Sequence, residues 1–420
     1  MKSYDLVVVG GGAAGMMASI SAKKHHPNFK VALLDRTFAL GRKILVCGAG
    51  RCNITNINLQ AGVEGHYYGA DTSFVRPVFS QFGYADIVEY FEDLGVELYV
   101  ERKTTVGKLF PITDQAKTIT AMLEDELERL GVEVMLNTEV KSIVSNNGSF
   151  TIGISNESPI TELSSQYVIL AAGGMTYPAL GSNGSGYNLA EQLGHKLVTP
   201  VPSALPLEGK NDLSQELQGI KLEAEVTSII AGKVVKSRVD DVMFTKYGLS
   251  GPAVLNISRE VSLRINREQK HDVEIKLNLF PGKSSDDVKD LLSKRWRKRS
   301  EQTIEKSLYG LFPNKIAPVI LKLININSTK LVKALSADEV EKLVEILSDY
   351  RIKISATRGW NEAEFTAGGV DTTELKPNTL ESKLHKGLYL CGEILDVDGD
   401  VGGFNLSWAW VSGFVSGKLS

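Results

Sequence analysis

The sequence predicts a doubly wound α/β chain interrupted by a second domain, and three observations carry that reading. The chain opens with an apolar strand that enters a glycine-rich turn and a small-residue helix (LVVVGGGAAGMMAS, residues 6–19). It closes the same way, with YLCGEILDVDGDVGGFNLSWAWVSG at residues 389–413. Between them, from about 197 to 357, the pattern changes to alternating strands and then to amphipathic helices. At 420 residues the chain exceeds the size at which one core keeps growing, so more than one domain is expected.

The totals exclude several classes. With 43% apolar and 23% charged residues, and no apolar run long enough to cross a bilayer, the chain reads as neither disordered nor membrane-spanning. A formal charge of −3 argues against a polyanion partner for the chain as a whole. Three cysteines, Cys47, Cys52 and Cys391, are too few and too odd for a disulfide scaffold. The first strand begins within six residues, without the charged lead and cleavage site of a signal peptide. A cytoplasmic protein is expected.

The opening motif fits G-x-G-x-x-G, with a distinct task for each glycine. Gly10 allows a tight turn, Gly12 lets backbone approach a pyrophosphate, and Gly15 lets helix and strand pack closely. The amides at Ala13 and Ala14 point the positive end of the helix at the phosphates. A second strand, Val31 to Leu34, ends in Asp35, twenty residues beyond Gly15, where a carboxylate accepts bonds from a ribose diol. Arg36 follows. The motif implies a dinucleotide but does not choose between NAD and FAD.

The next block, GRKILVCGAGRCNITN at residues 41–56, is a long polar and glycine-rich loop, the composition of a binding loop. Its expected contacts are Gly41, Arg42, Lys43, Gly48, Gly50, Arg51, Cys52 and Asn53, with Arg42 and Lys43 meeting an anion and the glycines opening backbone beside a bulky ring. Two helices follow, striped by Ile87, Val88, Phe91 and Leu94 and by Ile119, Leu123, Leu127 and Leu130. Then come a strand at 132–136, a strand through Val140, a hairpin at Asn146-Asn147-Gly148 and a returning strand that ends in Ala171-Ala172-Gly173-Gly174. A meander inside a dinucleotide fold, followed by such a strand, is the plan of FAD-binding two-layer folds. In that plan Val140 faces the adenine and residues 171–174 lie along the dinucleotide.

Taken together, the opening glycine motif, the 41–56 block, AAGGMTYPALGSNGSGYNLAEQLGH (171–195), FTKYGLSGPAVLNIS (244–258) and the closing segment resemble the BaiN-like flavoproteins. These are often described as NAD(P)/FAD-dependent oxidoreductases or aminoacetone-oxidase-like enzymes. The resemblance spans the chain and implies a Rossmann-like FAD-binding domain with an inserted β domain carrying a helical subdomain. The expected limits are 1–196 and 358–420 for the FAD-binding parts, 197–283 for the β domain, 284–349 for the helices and 350–357 for a return strand. It places Gly392 and Glu393 near the ribityl chain. Gly402, Gly403, Phe404 and Asn405 open a final helix whose N-terminus faces the flavin pyrimidine edge, where reduced flavin carries negative charge. The inserted pair is expected to cover the flavin's open face. Against the family pattern, Cys47, Ser185, Lys246 and Ser407 are departures, the last three expected near the substrate.

The implied activity is hydride transfer through flavin N5 to or from a small organic substrate. No second G-x-G-x-x-G is present, so NAD(P)H would dock only transiently. Tyr177, Lys246 and Tyr247 are substrate-side candidates. The alternatives are an amine-type oxidase passing electrons to dioxygen and, less favoured, a flavoprotein linked to nucleic acid through the basic run at 294–299. That run also suits a helix end, with Ser284-Ser285-Asp286-Asp287 capping the start. Cys47 and Cys52 have the C-x-x-x-x-C spacing of FAD disulfide reductases, without the C-terminal His-Glu pair that accompanies it there. The acidic loop at 393–400 lacks the glycine and glutamate of a calcium loop, so no metal is expected. Substrate and oligomeric state stay open.

Overall fold

The computed structural model describes residues 1–101, 107–146, 148–155, 161–209 and 211–419. Asn147 of the expected hairpin lies outside the described residues. The chain divides into two compact units, residues 1–202 with 364–420, and residues 203–363.

The first unit is built on a mainly parallel sheet. Its strands run in the order Glu133–Met135, Val31–Leu34, Lys2–Val9 and Glu162–Leu170. Leu388–Leu390 lies parallel to the C-terminal end of Glu162–Leu170, while the hairpin of Glu139–Asn146 and Ser149–Ser155 runs antiparallel to its N-terminal end. Leu6 to Val9 are all buried, as a strand covered on both faces must be. Leu197–Ser203 pairs with Phe365–Val370, which carries this unit beyond the limit of 196 expected from the sequence.

The two ends of the chain meet in this unit. The first helix, Ala13–His25, packs against the last, Phe404–Gly417. Gly413 and Gly417 lie one helical turn apart, and a Cβ on either would overlap the carbonyl of Ala14 or Ala18. Small residues on both helices therefore set a close backbone approach, and the Ser21 hydroxyl adds a 2.7 Å bond to the Phe414 carbonyl. Helices Tyr84–Asp93 and Ala116–Arg129 bury Ile87, Phe91, Ile119, Leu123 and Leu127, following their apolar spacing. A further helix, Thr72–Phe79, starts at Asp71, whose carboxylate accepts from the Ser73 amide.

The second unit has a seven-stranded sheet, antiparallel at every pairing. Its order is Tyr350–Lys353, Val273–Asn278, Lys221–Ile230, Lys233–Thr245, Gly248–Ser250, Leu207–Glu208 and Ala356–Thr357. The sequence reading of strands and turns through 282 is corrected at Pro252–Ser262, which is a helix. Proline sits in its first turn, and Ala253, Val254, Ile257 and Val261 fall on one buried face. Helices Ser285–Arg297, Ile304–Leu308, Ile316–Leu323 and Ala337–Ser348 follow. Val288, Leu292, Leu343 and Leu347 share one core with Leu277 and Ile352 of the sheet. Ser284 with Asp287, and Ser336 with Glu339, form capping boxes. Of the basic run, Arg295 donates to the Ser307 and Tyr309 carbonyls at 2.7 and 2.6 Å, and Trp296 Nε1 to Ser307 Oγ at 3.1 Å. Among the described residues no helix is long and apolar enough to cross a membrane.

Candidate functional site

Two adjoining cavities in the first unit share Gly12, Gly41, Lys43, Ala171 and Gly173, and form one cleft at the C-terminal ends of the parallel strands. That is where open α/β sheets present a crevice to a ligand.

The first cavity is walled mainly by backbone. Gly10 has φ +107°, and a Cβ there would stand 2.5 Å from the Ala171 carbonyl oxygen. A Cβ on Gly15 would overlap the Gly10 carbonyl, so helix and turn touch only because residue 15 is glycine. At Gly12 the same direction is open, nothing lying within 4 Å, and it faces the cleft. The Asp35 carboxylate accepts from the Gly11 amide, the Thr37 amide and the Thr37 hydroxyl, each at 2.7 Å. Arg36, Arg42, Val140 and Ala172 complete this wall, with Thr37, Thr138 and Ser182 unforeseen from the sequence. Arg42 stacks over Phe38 at 4.6 Å.

Side chains dominate the second cavity. Lys43 Nζ donates to Glu393 Oε2 at 2.6 Å and to Thr176 Oγ1 at 2.8 Å. Glu393 Oε1 in turn accepts from the Thr366 amide at 2.9 Å. Arg51 pairs with Glu101 at 3.1 Å and lies 4.0 Å over the Phe110 ring. Gly402 and Gly403, both at positive φ, bring the start of the last helix to the wall. Thr55 and Asn56 hold that start in place. Asn56 Nδ2 donates to the Gly402 carbonyl, and Thr55 Oγ1 shares a 2.8 Å bond with Ser407 Oγ. Asn53 is buried and lines the cavity, yet its Oδ1 has no hydrogen-bond partner among the described residues. Ala13, Ala14, Gly48, Tyr177, Lys108, Glu364, Phe365 and Trp408 line it as well, the last four unforeseen.

Several expected site residues stand elsewhere. Gly15, Gly50, Cys52, Gly174, Gly392 and Phe404 line neither cavity. Phe404 is buried and stacks on His66 at 4.4 Å. Asn405 lines the second cavity, but its amide spans the Gly399 N–H and carbonyl, so the side chain clamps the preceding turn. Lys246 and Tyr247 belong to the second unit and line neither cavity; Arg358 lies 4.7 Å over the Tyr247 ring. Of the departures expected near substrate, Ser185 lines the first cavity and Ser407 is buried against Thr55.

The cysteine pair does not have the chemistry of an exchanging dithiol. All three cysteines are free, and burial pushes the Cys47 thiol up to about 11 and the Cys52 thiol well above its ordinary range. A thiolate is the reactive form, so neither is poised to attack. Among the described residues no cluster of His, Cys, Asp or Glu could hold a metal ion. A relay-like constellation, Ser382 Oγ to His195 Nε2 at 2.9 Å and His195 Nδ1 to Glu374 at 3.0 Å, has Ser382 and His195 buried and lines neither cavity.

Comparison with known proteins places this geometry. The chain is 33% identical over 413 residues to 3-dehydro-bile acid delta(4,6)-reductase of Clostridium scindens, covering 98% of both chains. It is 31% identical over 412 residues to the ribosomal RNA dihydrouridine synthase of Escherichia coli, covering 98% of this chain and 96% of that one. Among solved structures, a 3-ketosteroid-delta4-(5alpha)-dehydrogenase from Rhodococcus jostii matches with a TM-score of 0.52 at 14% identity, over 100% of this chain and 96% of that one. A flavocytochrome c3 fumarate reductase matches with a TM-score of 0.51 at 16% identity, over 100% and 78%. The family resemblance drawn from the motifs holds. Residues 4–419 match the HI0933-like protein Rossmann domain, and the chain belongs to that family.

Proposed function

We propose that this chain is an FAD-dependent oxidoreductase that reduces a carbon–carbon double bond conjugated to a carbonyl in a small organic molecule. NAD(P)H, docking transiently, is the electron source. The observation that carries the reading is the continuous cleft from Asp35, past the glycine turn, to the start of the last helix. Two features support the fit of FAD: the open space at Gly12, and the orphaned Asn53 Oδ1 that a ring N–H would satisfy. Asp35 would hold the ribose, the amides of 12–14 the pyrophosphate, and 402–403 the pyrimidine edge of the ring. When bound, FAD supplies hydride chemistry. The chain supplies position and charge: the Lys43–Glu393 pair fixes one wall, and the first helix turns its positive end to the phosphates.

The substrate class rests on what the two named relatives have in common. A delta(4,6)-reductase acting on a 3-dehydro compound and an enzyme that forms dihydrouridine each add two hydrogens across a double bond conjugated to a carbonyl. A second reading, that the double bond belongs to a uracil in RNA, is favoured by the Escherichia coli relative and by the cationic hollow of Arg295, Lys298, Arg299 and Lys306.

The test begins with colour. Purified protein is expected to release FAD on denaturation, to bleach with NAD(P)H under anaerobic conditions, and to recover its flavin absorbance when a cyclic enone is added. A colourless protein that takes up no FAD overturns the reading. Rapid peroxide release with an amine, and no response to enones, replaces it with an oxidase. Dihydrouridine found by mass spectrometry in treated RNA, with no turnover of small enones, selects the second reading.

A further inference from the structure

We propose that Glu364 is the acid that delivers the proton to the substrate carbon, an inference that rests on the reductase reading above. Glu364 immediately precedes Phe365–Val370, a strand buried along its whole length, so its backbone is held firmly. Its side chain opens into the second cavity, whose wall also carries Cys47, Lys108, Phe110 and Tyr177. The other acidic group of that cavity is engaged, Glu393 being bonded to Lys43 and to the Thr366 amide. No hydrogen bond or ion pair engages the Glu364 carboxyl among the described residues, and an unpartnered acid facing a ligand cavity is available to the ligand.

The charged and titratable groups around it are few. Lys108 opposes its protonation through its positive charge, and the half-buried Cys47 thiol, whose proton affinity is raised, feels the charges of both Glu364 and Lys43. Glu364 keeps an exposed surface on the cavity, and the protein packed near its carboxyl raises its proton affinity above the usual carboxylate range. A ligand filling the cavity would remove water from that surface and strengthen the effect. A carboxyl that holds its proton to higher pH in this manner is suited to general-acid catalysis.

FAD, when bound and reduced by NAD(P)H, would supply a hydride with its two electrons to the carbon β to the carbonyl, leaving an enolate. The O–H bond of Glu364 breaks, and a C–H bond forms at the α carbon from the enolate electron pair. The carboxylate regains its proton from water entering the cavity.

Infrared difference spectroscopy of protein carrying labelled glutamate tests this without turnover. The wild type is expected to keep the carbonyl band of a neutral carboxylic acid at a pH above the ordinary glutamate range of about 4.3, and Glu364→Gln to lack it. Stopped-flow on the holoenzyme gives the second readout. Glu364→Gln is expected to leave bleaching by NAD(P)H little changed and to slow reoxidation by a cyclic enone by about 10²–10⁴-fold, with Glu364→Asp recovering part of the rate. Equal enone rates in wild type and Glu364→Gln across pH, or no acid band in the wild type, overturn the assignment while the reductase reading stands. A wild type that takes up FAD but reduces no conjugated carbonyl removes both.

Discussion

The two ends of the cleft are built on different principles. At the Asp35 end, the carboxylate is fixed by three bonds from Gly11 and Thr37, and glycines bring main chain to the surface. At the Glu364 end, walls come from separate segments, and the buried Asn53 Oδ1 is left without a partner among the described residues. A group locked by protein bonds is suited to hold a constant ligand in one pose. A buried atom with an unmet bond pays an energetic penalty in the empty protein, and that penalty is relieved when something binds.

Four substitutions break or sharpen this contrast. The largest effect is expected from Gly15→Ala, since its methyl group overlaps the Gly10 carbonyl. It should cost more than about 3 kcal/mol in urea unfolding of the cofactor-free protein and abolish FAD uptake. Next, Asp35→Ala removes three bonds to a charged acceptor and the expected ribose contact. FAD affinity should fall by roughly 10–100-fold in a fluorescence titration, since bonds to charged groups contribute about 1.5–3 kcal/mol.

Asn53→Ala probes the other end. Because Oδ1 has no partner to lose, cofactor-free stability should move by less than about 1 kcal/mol, while FAD affinity drops roughly tenfold. Equal changes in both quantities would place Asn53 with the groups fixed by protein bonds, as Asp35 is.

The smallest effect is expected at His195, which lines neither cavity. Burial lowers its proton affinity below the ordinary value of 6.5, so the folded state stays neutral where the unfolded chain takes up a proton. Its contribution is therefore complete above pH 6.5 and declines as pH falls towards the lowered folded value. Melting temperature should drop over that window in the wild type and drop less in His195→Gln, with FAD uptake at pH 7 the same in both.

The contrast also explains what the sequence could disclose. The Asp35 end is contiguous: a strand, three spaced glycines and an acid twenty residues on are one local unit, and Val140 follows from the plan of FAD-binding folds that this unit points to. The Glu364 end is assembled by topology. Lys108 and Phe110 come from a short strand, Trp408 from the last helix and Glu364 from a segment some 190 residues after Gly174, and no local pattern marks them as neighbours. Phe404 and Asn405 show the converse. Adjacent to Gly402 and Gly403, they read as ligand contacts, but one side chain turns to His66 and the other back to Gly399. The helix at Pro252–Ser262 was hidden for a related reason, its identity being decided by packing on the strands around it.

The contact of Gly413 and Gly417 with Ala14 and Ala18 has a consequence for biosynthesis. A ribosome adding about 5–20 residues per second needs roughly 20–80 s between the two helices. Throughout that interval the nascent glycine turn has no last helix behind it, and the wall at 402–403 does not exist. A complete site therefore forms only at the close of translation, and the face of Ala13–His25 that packs on the last helix stays uncovered by it until then.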